Sequence, residues 1–249
     1  MSNIMINTSL IDVVAIVPAA GTGSRMQSQR PKQYLTVAGK TILEHTLSVL
    51  LQHTEIKKII VALHPKDVYF NRLSVARNIR ITTVKGGQCR ADSVLAALHK
   101  SPSVQWVLVH DAARPCLRSE DLHRILSLTV SSKIGGILAI PVRDTIKQAV
   151  TGSNQIHDTI NNASLWQALT PQLFPLQLLL HCLGQAINSG KNITDEASAL
   201  EYCGYQPELI TGHSDNLKVT YPEDLVLVES YLSKKSYLSE QNYANWSRF

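Results

Sequence analysis

Short apolar runs alternate with helix-like segments along most of this chain, and this alternation constrains the fold more than any other feature. The runs predict five strands, over residues 12–17, 56–63, 79–84, 105–110 and 136–142. Helical periodicity or helix-capping residues mark most of the segments between them. A chain that alternates in this way buries a parallel sheet between two layers of helices. The sequence therefore predicts an α/β fold with a doubly wound, mostly parallel sheet.

Capping residues indicate where several helices begin. Thr41 and Glu44 have the spacing of a capping box, and Ser119 is predicted to cap the helix after the fourth strand. A last helix is expected to begin at Thr220, with Glu223 completing a second capping box. The other predicted helical segments cover residues 91–100, 175–188 and 194–203.

The alternation breaks after the fifth strand, where residues 143–160 have the pattern of a β-hairpin. Two β-like stretches flank the turn sequence Thr-Gly-Ser-Asn at residues 151–154. A doubly wound sheet does not need this hairpin, so we expect an arm that projects to a partner subunit; a local surface hairpin is the alternative. We expect one domain over residues 1–235 and a flexible tail over 236–249.

Composition excludes several classes of protein. Of the 249 residues, 44% are hydrophobic and 17% are charged, which excludes a disordered chain. The net charge of +5 comes without a dense basic tract, so we expect no nucleic-acid partner but find an anionic substrate reasonable. No apolar run near the N-terminus approaches the roughly 20 residues of a membrane span, and we expect no membrane partner. The four cysteines are scattered and suggest reduced thiols in the cytoplasm; a structural disulfide is the alternative.

A loop of small residues follows the first predicted strand. Residues 18–26 are Pro-Ala-Ala-Gly-Thr-Gly-Ser-Arg-Met, and such a loop lets the backbone approach a phosphate. Arg25 and Lys32 would supply positive charge to a triphosphate, although a plain turn is the alternative. A dinucleotide-binding fingerprint needs glycine where Met26 stands, and a Walker A loop needs glycine where Tyr34 stands. Both familiar motifs are therefore excluded.

Candidate ligand-binding residues also follow later strands, where doubly wound sheets bind ligands. Gly86 and Gly87 precede a predicted helix and can present backbone donors to a phosphate, unless they form an ordinary turn. Asp111 follows the fourth strand, where a lone carboxylate can hold Mg²⁺ or a sugar hydroxyl; a helix cap or turn residue is the alternative. Lys218 alone would be an ordinary surface charge, and it is a candidate ligand-binding residue only because the other candidates accompany it.

These motifs together resemble the 2-C-methyl-D-erythritol 4-phosphate cytidylyltransferase family. They stand in that family's order over roughly residues 12–234 and comprise PAAGTGSRM with PKQY, VHDAARP, PVRDT, TPQ, TDEASA and DNLKVT. The resemblance implies a Rossmann-like nucleotidyltransferase that uses CTP and methylerythritol phosphate and releases 4-diphosphocytidyl-2-C-methyl-D-erythritol and pyrophosphate. It also implies Mg²⁺, a homodimer joined through the arm, and a place in non-mevalonate isoprenoid biosynthesis.

The resemblance implies a role for individual residues. Arg25 and Lys32 would stabilise the transition state, and Lys218 would orient the acceptor phosphate. The residues implied to line the nucleotide are Ala19, Ala20, Gly21, Gly87, Gln88 and Ser93. Those implied to surround the acceptor are Asp111, Arg114, Thr145, Asn162, Thr170 and Thr194. Among them, Asp111 is the candidate metal ligand.

Asn162 departs from the family pattern, which usually has an arginine that reaches the partner's acceptor phosphate. A neutral amide lacks the charge-assisted contact, and such contacts contribute about 1.5–3 kcal/mol against about 1 kcal/mol for neutral ones. Arg143 or Lys147 in the arm is the candidate to compensate. Two alternatives therefore stay open: a cytidylyltransferase for another polyol phosphate such as ribitol 5-phosphate, and a non-catalytic nucleotide-binding protein of the same fold.

Overall fold

The structure is a computed structural model that describes residues 12–26, 28 and 30–240, without the side chains of Ser24 and residues 235–240. The strands in these residues are β1 (Val13–Ala19), β2 (Thr36–Val37), β3 (Lys40–Thr41), β4 (Ile56–Leu63), β5 (Ile81–Lys85), β6 (Trp106–Val109), β7 (Gly136–Pro141), β8 (Ile146–Ala149), β9 (Ile156–Ile160), β10 (Trp166–Pro175) and β11 (Glu208–Thr211). The α-helices there are α1 (Ile42–Leu51), α2 (Arg90–Lys100), α3 (Ser119–Leu126), α4 (Leu128–Ser131), α5 (Leu176–Asn188), α6 (Glu196–Tyr202) and α7 (Asp224–Glu240).

One mixed sheet organises the molecule, and in the described part of the chain it has seven strands in the order β11-β7-β10-β6-β1-β4-β5. Its neighbouring pairs are parallel apart from the two that involve β10, which runs antiparallel to β6 and to β7. The predicted α/β, doubly wound, mostly parallel sheet is confirmed. The sequence pattern predicts neither β10 nor β11. β10 contains Pro171 and Pro175, which argue against a strand inside a sheet, and it shifts register between Ala168 and Gln172.

Both faces of this sheet are buried, which explains the nearly continuous apolar run of β1. Val13 belongs to a core cluster shared with α1 and α3, whereas Val14 belongs to a cluster shared with α2, α5 and α6. A smaller cluster joins Val228 of α7 to Ile42 at the start of α1. The strands therefore form a rigid platform for the loops at their carboxyl ends.

The capping predictions have different outcomes. The box at the start of α1 is confirmed, because the Thr41 hydroxyl accepts from the Glu44 amide at 3.2 Å and the Glu44 carboxylate accepts from the Thr41 amide at 3.0 Å. The prediction for Ser119 is wrong, since Ser119 is the first residue inside α3 and Arg118 precedes it without a side-chain cap. The Ser119 hydroxyl lies instead 2.9 Å from Nε2 of His53.

Two elements begin at residues other than those predicted. The last helix, α7, begins at Asp224 rather than Thr220, and the box with Glu223 is wrong. The Asp224 carboxylate accepts from the amides of Thr220 and Tyr221 at 2.7 and 2.9 Å, so these residues form a turn before the helix. The third predicted strand starts two residues late, at Ile81, and leaves Ile79 96% exposed.

The predicted β-hairpin is confirmed: β8 and β9 pair antiparallel in a separate two-stranded sheet with mostly exposed side chains. That this hairpin is an arm that reaches a partner subunit, rather than a local surface hairpin, stays a prediction. At the C-terminus, α7 continues to Glu240, and residues 241–249 lie outside the described residues. The flexibility expected over 236–249 stays a prediction, as does the domain boundary at 235. No helix in the described part of the chain combines the length and apolar character that a bilayer crossing needs.

Candidate active site

Two adjoining cavities lie beyond the carboxyl ends of β1, β5 and β6. Their volumes are about 320 and 210 Å³. Arg90, Asp111 and Lys218 line both cavities and so form the boundary between them. The structure brings every residue predicted for the nucleotide onto the first cavity: Ala19, Ala20, Gly21, Gly87, Gln88 and Ser93.

A buried glutamine holds the first glycine-containing loop against the sheet. Nε2 of Gln33 donates to the carbonyl oxygens of Ala19 at 2.7 Å and of Gly21 at 3.1 Å. Further along the loop, Gly23 has a φ of +69°, and a Cβ there would lie 2.9 Å from Cγ of Lys32. Both the backbone conformation and the lysine therefore disfavour a side chain at this position.

The second loop is shaped by Ser93 and by the start of α2. The Ser93 hydroxyl accepts from the Gly87 amide at 3.1 Å and donates to the Cys89 carbonyl at 2.9 Å. Cys89 and Asp92 cap α2 reciprocally, a box that the sequence did not reveal because thiols are weak hydrogen-bond acceptors. A Cβ on Gly87 would lie 2.2 Å from that of Asp92, so the loop needs glycine to pass this close.

The three residues predicted to be catalytic, Arg25, Lys32 and Lys218, all line the first cavity. Lys32 is half-buried, and its Nζ donates to the Val219 carbonyl at 2.7 Å. Burial lowers the pKa of Lys32, and the positive charges of Lys218 and Arg25 lower it further. The Arg25 guanidinium lies 5.7 Å from the ring centroid of Tyr221. An anion among these cations would relieve their mutual repulsion.

Asp111 is the buried carboxylate at the boundary between the cavities. Its Oδ1 accepts from Nε of Arg90 at 2.9 Å, and its Oδ2 accepts from Nζ of Lys218 at 2.8 Å. Nε of Arg114 lies 3.6 Å from the same Oδ2. Burial by itself would raise the pKa of Asp111, but Arg90, Lys218 and Arg114 together hold it well below its usual range. Asp111 is therefore ionised.

Glu196, at the start of α6, holds Arg90 from the other side. Nη1 and Nη2 of Arg90 donate to Oε1 and Oε2 of Glu196 at 2.7 and 2.9 Å, and Glu196 is only 1% exposed. Burial disfavours the charged guanidinium, but Glu196 and Asp111 raise the pKa of Arg90. Burial raises the pKa of Glu196, and Arg90 opposes that shift.

A neutral histidine connects residues that are predicted to bind the acceptor. His110 is fully buried, and burial lowers its pKa to about 4. Its Nε2 lies 3.2 Å from the Arg114 carbonyl, which can only accept, so Nε2 carries the proton. Nδ1 then accepts from the Thr170 hydroxyl at 2.9 Å, and that hydroxyl accepts from the Asp111 amide at 3.1 Å. His110 therefore orients its neighbours and exchanges no proton near neutral pH.

The predicted acceptor residues divide into two groups. Arg114, Thr170 and Thr194 line the second cavity beside Asp111. Thr145 and Asn162 line neither cavity and belong to the base of the arm. Nδ2 of Asn162 donates to the carbonyls of Asp144 at 2.9 Å and Val142 at 3.4 Å, so this amide links the segment after β9 to the segment before β8. A single copy of the chain therefore does not bring Thr145 and Asn162 to the site.

The donor set fits a metal that is held mainly by a substrate. Among the described residues, no group of three His, Cys, Asp or Glu side chains could enclose a metal ion. Mg²⁺ commonly binds one or two carboxylates together with substrate phosphates and water. Asp111 is a suitable single carboxylate, although it would share its oxygens between the ion and the side chains of Arg90 and Lys218.

Several residues of the site have no role predicted from the sequence. They are Gln33, Arg90, Gln172, Glu196 and Asn216, which connect segments up to 106 residues apart in the chain. Gln33, Gln172, Glu196 and Asn216 stand inside the motifs that carry the family resemblance, and Arg90 follows the glycine pair at residues 86–87, so these positions were an available signal. What each side chain contacts could not be read from that signal.

Comparisons with known proteins agree with this geometry. A family model described as IspD, 2-C-methyl-D-erythritol 4-phosphate cytidylyltransferase, matches residues 13–234. A relative of that name from Yersinia pseudotuberculosis serotype I is 57% identical over 242 residues, which cover 97% of this chain and 100% of the relative.

Solved structures give the same result. A crystal structure of 4-diphosphocytidyl-2C-methyl-D-erythritol synthase is 39% identical with a TM-score of 0.76, and the match covers 89% of this chain and 98% of that one. The Francisella tularensis 2-C-methyl-D-erythritol 4-phosphate cytidylyltransferase is 32% identical with a TM-score of 0.76, over 88% of this chain and 99% of that one. The chain thus belongs to the 2-C-methyl-D-erythritol 4-phosphate cytidylyltransferase family of nucleotidyltransferases.

Proposed function

We propose that the protein transfers the cytidylyl group of CTP to 2-C-methyl-D-erythritol 4-phosphate, with release of 4-diphosphocytidyl-2-C-methyl-D-erythritol and pyrophosphate, in the methylerythritol phosphate route to isoprenoids. The charge on the two adjoining cavities carries this proposal. A surplus of fixed positive charge suits a triphosphate on one side and a phosphate monoester on the other. In the described part of the chain, the charged lining residues are the cations Arg25, Lys32, Arg90, Arg114 and Lys218 and the carboxylates Asp111 and Asp195.

The chemistry needs positioning and charge stabilisation rather than a general base. An acceptor phosphate oxygen, already ionised near neutral pH, attacks the α-phosphorus of CTP. The new P–O bond forms as the bond to the bridging oxygen of pyrophosphate breaks, and that oxygen leaves with the electron pair. Arg25 and Lys32 stabilise the charge that develops in this in-line displacement. Lys218, fixed by Asp111 at 2.8 Å, holds the acceptor phosphate at the boundary between the cavities.

Mg²⁺ is part of the proposal, with Asp111 as its protein ligand. When bound, the ion neutralises part of the triphosphate charge. Titration with EDTA followed by Mg²⁺ tests this point: we expect activity to vanish with the chelator and to return with the metal. Full activity in excess EDTA would contradict it.

The acceptor assay tests the proposed reaction. Purified protein, CTP and methylerythritol phosphate should release pyrophosphate at a rate that depends on both substrates. ATP in place of CTP is the matched control for the nucleotide, and we expect little turnover with it. No pyrophosphate release at any acceptor concentration would instead support a non-catalytic nucleotide-binding protein.

Asn162 gives a specific reason to keep a second acceptor in the same assay. Its amide binds the carbonyls of Val142 and Asp144 and carries no charge toward a phosphate. Ribitol 5-phosphate is the alternative acceptor. A clear preference for it, measured as kcat/KM, would replace methylerythritol phosphate in the proposal while leaving the cytidylyl transfer unchanged.

We further propose a homodimer joined through the arm. The arm exposes apolar side chains, among them Ile146 at 37%, Val150 at 41% and Ile156 at 64%. A second copy would cover these apolar side chains. Thr145 and Asn162 would then contribute to the partner's second cavity. Ile156→Asp should therefore yield monomers with a raised acceptor KM, as measured by analytical ultracentrifugation and by the pyrophosphate assay. A monomeric wild-type protein with full activity would refute the dimer.

A cytoplasmic location is the last part of the proposal. None of the four cysteines, all of which lie in the described part of the chain, forms a disulfide, and exposed Cys89 suits a reducing compartment. Cell fractionation of the tagged full chain tests this location, and recovery in an oxidising compartment would overturn it.

A further inference from the structure

A series of ion pairs crosses the boundary between the two cavities. Glu196 binds Arg90 through two hydrogen bonds of 2.7 and 2.9 Å, and Arg90 binds Asp111 at 2.9 Å. Asp111 in turn binds Lys218 at 2.8 Å. Arg90, Asp111 and Lys218 line both cavities, whereas Glu196 lines neither. The hydrogen bonds of the Glu196 carboxylate reach the two cavities through Arg90.

Arg90 and Glu196 are each the first residue of a helix. Arg90 begins α2, directly after the loop that brings Gly87 to the first cavity. Glu196 begins α6, directly after Thr194 and Asp195, which line the second cavity. The ion pair thus joins the helix start beside the nucleotide cavity to the helix start beside the acceptor cavity.

Other contacts fix the backbone of Glu196 independently of Arg90. Asp195 caps α6 by accepting from the Ser198 amide at 3.0 Å. Gln172 of β10 donates to Asp195 at 2.8 Å and accepts from the Ala197 amide at 3.0 Å. Because α6 has these separate attachments to the sheet, the Glu196 carboxylate can be altered while the helix start stays in place.

The guanidinium of Arg90 is engaged by carboxylates at Nε and at both terminal nitrogens. A bidentate pair on one side of a rigid, planar fork fixes where the remaining nitrogen points. Here the remaining nitrogen, Nε, points to Oδ1 of Asp111 and leaves Oδ2 to Lys218. Arg90 is therefore arranged to orient Asp111, and its orientation depends on Glu196.

We propose that Glu196 is a positioning residue that, by holding Arg90, sets Asp111 and Lys218 where the acceptor phosphate meets the nucleotide. This inference rests on the proposed function. In this arrangement, a buried carboxylate that lines neither cavity affects how the acceptor binds and reacts. The loops expected to bind the nucleotide have their own attachments through Gln33 and Ser93, so Glu196 should matter less for CTP.

The test compares Glu196→Gln with Glu201→Gln, a matched control at an exposed position of the same helix. Gln keeps the size of the side chain and removes its charge. For E196Q we expect the acceptor KM to rise and kcat to fall, together lowering kcat/KM by about 10–100-fold, as displacement of reacting groups typically does. We expect the dissociation constant for CTP, measured without acceptor, to change less than threefold. E201Q should match the wild type in all three constants.

Glu196→Asp keeps the charge on a shorter side chain and serves if E196Q does not fold. We expect E196D to have at least a threefold higher acceptor KM than the wild type, with an unchanged CTP dissociation constant. Wild-type kinetics in the folded variant, with only a lower melting temperature, would show that Glu196 merely stabilises α6 and would overturn the inference. If the wild-type protein itself transfers nothing to methylerythritol phosphate, the proposed function fails, and this inference fails with it.

Discussion

Replacing Lys32 with methionine tests whether fixed positive charge drives the reaction. Methionine keeps most of the length and the apolar stem that packs on Gly23, so the cavity wall should persist. A preorganised donor aimed at developing charge contributes about 10²–10³ in kcat, or about 2.7–4 kcal/mol. Lys32 meets that description because it is half-buried and its Nζ is fixed on the Val219 carbonyl at 2.7 Å. Since Arg25 and Lys218 remain, we expect a loss of this size rather than complete inactivity.

The assay for K32M is pyrophosphate release at saturating substrates, with CTP affinity measured separately by calorimetry. Lys40→Met is the matched control, because Lys40 is an exposed lysine outside both cavities. We expect the control to keep wild-type kcat. A kcat for K32M within threefold of the wild type would refute the reasoning, and full activity of a double variant lacking the charges of Arg25 and Lys32 would refute it decisively.

The pH profile gives a second readout for the same residue. Burial and the neighbouring cations lower the pKa of Lys32 below the 10.5 of an ordinary lysine. The charged form is therefore present below that lowered pKa and is lost as the pH rises through it, so kcat should decline on the alkaline side earlier than an ordinary lysine would allow. Arginine stays charged, so Lys32→Arg should move this decline to higher pH. An identical alkaline limb in both proteins would show that Lys32 does not control it.

The remaining predictions concern the support of the site and the core. Gly23→Ala and Gly39→Ala should each lose about 1–2 kcal/mol of unfolding free energy in urea, because both glycines have a positive φ. Only Gly23→Ala should lower kcat, since the added Cβ would contact Lys32. Gln33→Leu leaves two loop carbonyls without their donor, so it should cost about 1–3 kcal/mol in urea and weaken CTP binding in calorimetry; unchanged affinity would contradict its role. Leu47→Ala, on the buried face of α1, should cost about 2–5 kcal/mol of unfolding free energy with kcat unchanged in the folded fraction.

Local patterns in the sequence determined the regular part of the fold. β4 has the predicted bounds, and the Thr41–Glu44 box forms, because apolar periodicity and short-range capping depend on residues close together in the chain. The loops after β1, β5 and β6 were predicted to carry the site for the same reason: in a parallel sheet, each strand's carboxyl end points to the same edge.

Short-range patterns failed where a distant contact decided the outcome. Serine is a favourable N-cap residue, but the Ser119 hydroxyl lies beside His53, and Arg118 occupies the N-cap position of α3. β10 contains two prolines and a register shift, yet it is a strand because β6 and β7 supply partners on both sides. No window of neighbouring residues contains that information.

The site shows the same division. The sequence by itself predicted many of the residues that line the two cavities, because glycine-containing loops, lysines and the lone Asp111 stand within recognisable motifs. Only the tertiary structure decided their electrostatic arrangement: Glu196 meets Arg90 across 106 positions of the chain, and three cations converge on one carboxylate. The physical reason is that Coulombic and hydrogen-bond energies depend on distances in space, and the packing of helices on the sheet sets those distances.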